Sequence, residues 1–135
     1  MISFNARESE YVDSKSGVSA RLSISALENL YSTAERRMLL NGEKQTTTRM
    51  TDFWGVIPAI TGKVELVYEG EQEGPYNVAM NLIFKSCKEL FLEHYPNPNT
   101  KLKRDIKDEY GVIKAWFSGG NSVEILNDDN DKSYT

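Results

Sequence analysis

The sequence predicts a mainly α-helical fold with a small β component, and three observations carry that expectation. Apolar residues recur at three- and four-residue spacing over long stretches, helix start and stop residues bracket those stretches, and strand-like runs are short and few. With 135 residues, the chain suits one domain, which at this size buries roughly two thirds of its unfolded surface. About four helices are expected.

Residues 1–20 are polar, with Ser9, Ser14, Ser16 and Ser19, and read as an extended arm. The first helix starts at Ser25, where Ser25-Ala-Leu-Glu28 fits a capping box. Leu27, Leu30, Tyr31, Ala34 and Met38 form its apolar face, and Asn41-Gly42 ends it. Beyond the polar loop Thr46-Thr47-Thr48, Thr51 is the expected N-cap of a second, shorter helix carrying Phe53, Val56, Ile57 and Ile60. Gly55 and Pro58 weaken or kink it, because Pro58 has no N–H for the carbonyl of Trp54.

Residues 64–68 fit either a short strand or a continued helix. The acidic stretch Glu69-Gly-Glu-Gln-Glu-Gly74 reads as a solvated loop, and Pro75 opens the strongest helix, at a first-turn position that tolerates proline. Val78, Leu82, Ile83, Cys87, Leu90 and Phe91 line one face as far as Tyr95, where Pro96-Asn97-Pro98 stops it. A fourth helix is expected from Leu102, Ile106, Tyr110, Ile113, Trp116 and Phe117, weakened by Gly111 and ended by Gly119-Gly120. Residues 122–126 read as one short strand. The tail, 127–135, is polar and reads as frayed, with Ser133-Tyr134 opening a further helix.

Composition excludes several chemistries. Sixteen Lys and Arg against twenty Asp and Glu give a net charge of −4, with no electrostatic footprint for duplex nucleic acid or an anionic membrane. One cysteine, Cys87, excludes an internal disulfide and a multi-cysteine zinc site, and one histidine, His94, excludes a His-rich metal site. No apolar run approaches the ~20 residues that span a bilayer, and the N-terminus lacks a signal-peptide core. A soluble, cytoplasmic domain is the expectation. Gly62-Lys63 is not a phosphate loop, since Ile57 stands where the first glycine is needed and Val64 where Ser or Thr is needed. Neither the glutamates at 65–73 nor the aspartates at 128, 129 and 131 have calcium-loop spacing. No nucleophile–base pair is legible, so the chain alone does not read as an enzyme.

The run Ser16-Gly-Val-Ser-Ala-Arg-Leu-Ser-Ile24, with Ala6-Arg7-Glu8-Ser9, Val12-Asp13 and Arg49-Met-Thr-Asp52, resembles AAA+ ATPases related to the magnesium chelatase ATPase subunit. Ile57-Pro-Ala-Ile-Thr-Gly-Lys-Val-Glu-Leu-Val-Tyr-Glu-Gly-Glu-Gln-Glu-Gly74 is its most distinctive part. The resemblance covers residues 3–126 and only the region after the nucleotide-binding core, without Walker A or Walker B. It implies a helical AAA+ lid-type domain over 21–126, an arm over 1–20 joining the ATPase core, and a truncated tail over 127–135. The fragment alone is expected to be inactive. The parent is expected to hydrolyse ATP with Mg²⁺ as a ring homo-oligomer acting on an unknown client, with neither nucleic acid nor membrane as partner.

By the same resemblance Arg21 stands at the family's second sensor arginine. A guanidinium stays charged at any working pH and donates in a fork to phosphate oxygens, which suits the γ-phosphate of ATP. Arg7 is a weaker candidate, and Arg36-Arg37 reads as a solvated helix face. The alternative is a free-standing helical protein-interaction module with Phe53, Trp54, Trp116 and Phe117 as its aromatic anchors.

Overall fold

The computed structural model describes residues 1–13, 15, 17–98, 108–124 and 126–134. Among them are seven α-helices and one 3₁₀ helix: α1 (Ile2–Arg7), α2 (Leu22–Leu40), the 3₁₀ helix (Met50–Val56), α3 (Ile57–Thr61), α4 (Tyr68–Glu73), α5 (Pro75–His94), α6 (Gly111–Ser118) and α7 (Asp131–Tyr134). The mainly helical expectation holds. The β component among the described residues is two isolated antiparallel bridges, Val12 to Leu66 and Val18 to Val64.

The core sits where α1, α2, the 3₁₀ helix, α3 and α5 meet. Ala6, Leu22, Val56, Ile57, Ile60, Val78, Ala79, Leu82 and Ile83 form it, and burying each of the larger side chains contributes about 2 kcal/mol. Two long helices frame this cluster. α2 ends as its sequence requires: Gly42 adopts φ +65°, its N–H donates to Leu39 O (3.2 Å), and the Glu43 N–H donates to Met38 O (3.0 Å). Those two bonds are a Schellman stop, and the positive φ is the reason glycine stands there. α5 starts at Pro75 and ends at His94, with Tyr95 already extended, as Pro75 and Pro96 dictate.

Elsewhere the structure corrects the sequence reading. The arm at 1–20 is no loose segment. α1 packs on α5 and α2, Ala6 is fully buried, and the Asn5 amide donates to Ser86 Oγ (2.9 Å) and Glu89 Oε2 (2.7 Å). Residues 11–13 and 17–19 then run beside 63–67 through four backbone bonds: Asp13 N–H to Glu65 O, Glu65 N–H to Gly17 O, Val67 N–H to Tyr11 O and Ser19 N–H to Lys63 O. So 64–66 is a bridge partner, and helix resumes at Tyr68.

α2 begins at Leu22, not at Ser25. Ser19 turns the chain in, its carbonyl accepting from Leu22 N–H (3.0 Å) and its hydroxyl from Arg21 N–H (3.3 Å). The expected face is also only partly buried: Leu22, Ala34 and Arg37 lie inside, whereas Leu27 and Tyr31 are exposed. In place of one kinked helix from Thr51, a 3₁₀ helix entered at Arg49 gives way to α3, with Pro58 in the first turn of α3. That position removes the need for its missing N–H.

The acidic stretch is a helix as well. α4 spans Tyr68–Glu73, and a Cβ at Gly70 would stand 2.3 Å from Tyr11 O. Glycine there lets the helix backbone pass against the residue 11 strand edge. Of the expected fourth helix, Tyr110 lies in a turn and only Gly111–Ser118 is helical among the described residues, with no buried residue. Leu102 and Ile106 lie outside the described residues. Residues 122–124 and 126 are not strand, and the tail is anchored.

Candidate functional site

Arg21 is the N-cap residue of α2 and is exposed. Its backbone N–H is held by Ser19, but among the described residues its guanidinium has no hydrogen bond or ion pair. The adjoining cleft, about 260 Å³, is lined by Ser19, Thr61, Gly62, Lys63, Val64 and Glu65. The bridged backbone of 17–19 and 63–65 therefore fixes the base of Arg21 and leaves its fork open to solvent. Arg7, in the last turn of α1, is exposed.

The aromatic anchors of the alternative reading fall in two places. Phe53 and Trp54 border a shallow cleft of about 170 Å³ with Met50, Met80, Ile83 and Phe84, and Trp54 is 43% exposed. Trp116 and Phe117 meet edge to face on α6, centroids 4.9 Å apart. A larger groove, about 380 Å³, runs between α1, α2 and α5 past Leu27, Leu30, Phe53, Cys87 and Leu90. Burial raises the Cys87 thiol pKa above its ordinary value, so it behaves there as an apolar group rather than a nucleophile.

The most constrained polar cluster is one the sequence reading placed on the surface. Arg36 is exposed, as expected, but Arg37 is 1% exposed. Its fork faces Asp52, Nε to Oδ1 at 3.2 Å and Nη2 to Oδ2 at 3.1 Å, and it also donates to Thr46 Oγ1 (2.9 Å) and Thr47 O (2.8 Å). Asp52 in turn accepts from the Arg49 backbone N–H at 2.7 Å. Arg49 is itself buried. It donates to Asp129 O (2.7 Å) and to the Asp131 carboxylate, and its guanidinium lies 4.3 Å from the centre of the Tyr134 ring.

Asp131 closes the cluster, accepting from Arg37 Nη1 (3.0 Å) and Thr46 Oγ1 (3.1 Å) as well. The tail read as frayed is thus clasped: the Asp131 N–H donates to Glu43 Oε1 (2.7 Å), and Asn41 Nδ2 donates to Asp128 O (2.8 Å). The electrostatics follow the geometry. The hydrogen bonds to Asp52 hold the Arg37 guanidinium above its usual pKa against the opposing cost of burial, with the charges of Asp52 and Asp131 adding. The bond from Arg49 holds the Asp131 carboxyl below the usual carboxylate range, against desolvation and with help from Thr46 and Arg37.

One signal in the sequence pointed to this cluster. Arg37 stands three residues after Ala34, on the stripe that carries the apolar face, where a solvated arginine does not belong. Among the described residues no group of His, Cys, Asp or Glu comes together to hold a metal, and no helix is long and apolar enough to cross a membrane. Compared with protein-family models, curated proteins and solved structures, the chain finds no match.

Proposed function

We propose that this chain is the helical lid region of a magnesium chelatase-like AAA+ ATPase, and that Arg21 serves as its sensor arginine. The supporting observation is the state of Arg21 itself: an exposed guanidinium without an internal partner among the described residues, at the start of a nineteen-residue helix anchored by Leu22 in the core. An arginine in this setting reaches out from a rigid base, and its fork suits phosphate oxygens.

In this reading the lid closes over ATP bound by the nucleotide-binding core. Arg21 donates to the γ-phosphate and stabilises the charge that develops as the phosphoryl group transfers. Mg²⁺ polarises the phosphates, and its ligands belong to that core, with the phosphate loop. What this chain contributes is the cation and a rigid-body motion that carries nucleotide state to neighbouring subunits of a ring and to a client. The exposed apolar side chains of α6, Val112, Ile113, Trp116 and Phe117, suit contact with another protein surface.

The test is ATP hydrolysis by the protein that joins this chain to its nucleotide-binding core, with Arg21→Ala beside the wild type. Hydrolysis is expected to fall at least about tenfold while ATP binding and assembly persist. Unchanged hydrolysis makes Arg21 an ordinary surface residue and ends the reading. The groove between α1, α2 and α5 favours the second reading, a free-standing helical protein-interaction module, which takes over in that event.

A further inference from the structure

We propose that the groove between α2 and residues 45–48 receives an extended protein segment of alternating apolar and basic side chains, which pairs its backbone with 45–48 as an added strand. The inference goes beyond the lid reading and does not depend on it, since it uses neither Arg21 nor bound ATP.

Unpaired backbone is the first argument. Gln45, Thr46, Thr47 and Thr48 lie in neither helix nor turn and lead into Arg49, whose backbone is extended (φ −118°, ψ 164°). Three β-branched threonines in a row suit that conformation. Among the described residues no backbone N–H of 45–48 donates a hydrogen bond. Of their carbonyls only Thr47 O accepts, from Arg37 Nη2 (2.8 Å) and Thr46 Oγ1 (3.3 Å). Free donors and acceptors on successive residues are the template that another extended backbone fits.

The opposite wall is the second argument. Tyr31, Ala34 and Met38, at three- and four-residue spacing on α2, line one groove of about 590 Å³ together with 45–48. Tyr31 is 60% exposed and so offers its ring to an incoming side chain. From Tyr31 to Met38 the helix rises about 10 Å, and three steps of extended chain across 45–48 advance about 10 Å. Wall and edge thus match in length, and a strand between them turns every second side chain to one face.

Order and charge complete the case. The middle of the edge is pinned before any partner arrives, because Arg37, itself buried, donates to both Thr46 Oγ1 and Thr47 O. Binding therefore does not have to order that edge. Glu35 is the charged residue of the lining, is exposed, and has no ion pair among the described residues. It selects a segment with lysine or arginine, and an acidic segment is repelled.

The probe is a capped hexapeptide of alternating valine and lysine, titrated into the full chain while amide spectra are recorded. Saturable movement of the signals of 45–48 is expected, and immobile signals overturn the proposal. The same peptide with glutamate in place of lysine should bind at least about tenfold more weakly, and Glu35→Lys should reverse the preference. Identical affinities for the two peptides overturn the charge assignment and the proposal with it. Two further isomers carry N-methyl groups on either the valine or the lysine amides. A strand turns alternate amides toward its neighbour, so one isomer should bind about tenfold more weakly than the other through the bonds it loses. Equal binding by both overturns strand addition.

Thr48→Pro removes a donor and places a ring on the edge, and should abolish binding. Should that variant lack a cooperative melt, amide exchange in the wild type decides: slower exchange within 45–48 on adding the lysine peptide supports the site, and unchanged exchange overturns it. Self-association of the chain without peptide, lost in Thr48→Pro, gives the edge to a second copy and overturns the proposal. Arg21→Ala should leave peptide binding intact, so this site and the sensor arginine stand or fall separately.

Discussion

Leu22 and Arg37, near opposite ends of α2, are buried equally well by opposite means. At its start Leu22 is fully enclosed by the apolar cluster, while near its end Arg37 is 1% exposed among ions and hydroxyls. The Leu22 end is held by a non-directional force that tolerates approximate shapes. The Arg37 end is held by directional bonds, and removing either member of the buried Arg37–Asp52 pair leaves the other charge without its main partner. One helix thus joins a forgiving region to an exacting one, and substitutions at the two ends should fail differently.

The largest effect is expected from Arg37→Ala, which strands the buried Asp52 carboxylate. A loss of about 3 kcal/mol or more in urea unfolding is expected. The contrast sharpens with the double replacement Arg37→Met and Asp52→Leu, which removes both charges and should recover most of that loss. A double variant as unstable as Arg37→Ala would show that shape, and not charge, governs this end too. Leu22→Ala should cost about 2–4 kcal/mol in the same measurement, and Leu22→Met about 1 kcal/mol.

Ser86→Ala takes one acceptor from the buried Asn5 amide. Because Glu89 still accepts from that amide, a loss of about 1 kcal/mol is expected by thermal unfolding. The pH dependence is subtler. The folded state holds the Asp131 carboxyl below its ordinary pKa, so the unfolded chain takes up the proton first. The stabilisation is complete above the unfolded value, near 4, and is lost as pH falls through the lower folded value. The stability gap between wild type and Asp131→Asn should therefore be constant above about pH 5 and narrow progressively as the pH falls from there through the lowered folded-state pKa. Smallest of all, Arg36→Ala removes only an exposed pair with Asp128 and should shift stability by no more than about 0.5 kcal/mol. A larger shift would extend the exacting region to the helix surface.

What the sequence made legible follows the same division. Leu82 and Ile83 on α5, the stop at Gly42 and the first-turn Pro75 are readable because apolar spacing, a left-handed glycine and a proline act locally. α1 and α4, six residues each, are not readable because so short a helix is stabilised by what it packs against: Ala6 and Asn5 by α5, Gly70 by Tyr11. The Ser25 start was misplaced because Ser19, three residues before Leu22, does the turning. Of the candidate site, Arg21, which the Ser25 start leaves outside the helix, is instead the N-cap residue of α2. The burial of Arg37 left only its place on the apolar stripe beside Ala34 as a signal, because its partners Asp52 and Asp131 are 15 and 94 residues away.

That last separation bears on the order in which the molecule assembles. Bonds between α2 and the 3₁₀ helix join near neighbours in the chain, whereas the Arg37–Asp131 contact must close a loop of 94 residues. Loop closure of that length is repaid only after the helices between are docked. The clasp therefore belongs to the last steps of folding and the first of unfolding, and weakening it should hasten unfolding while leaving the folding rate almost unchanged.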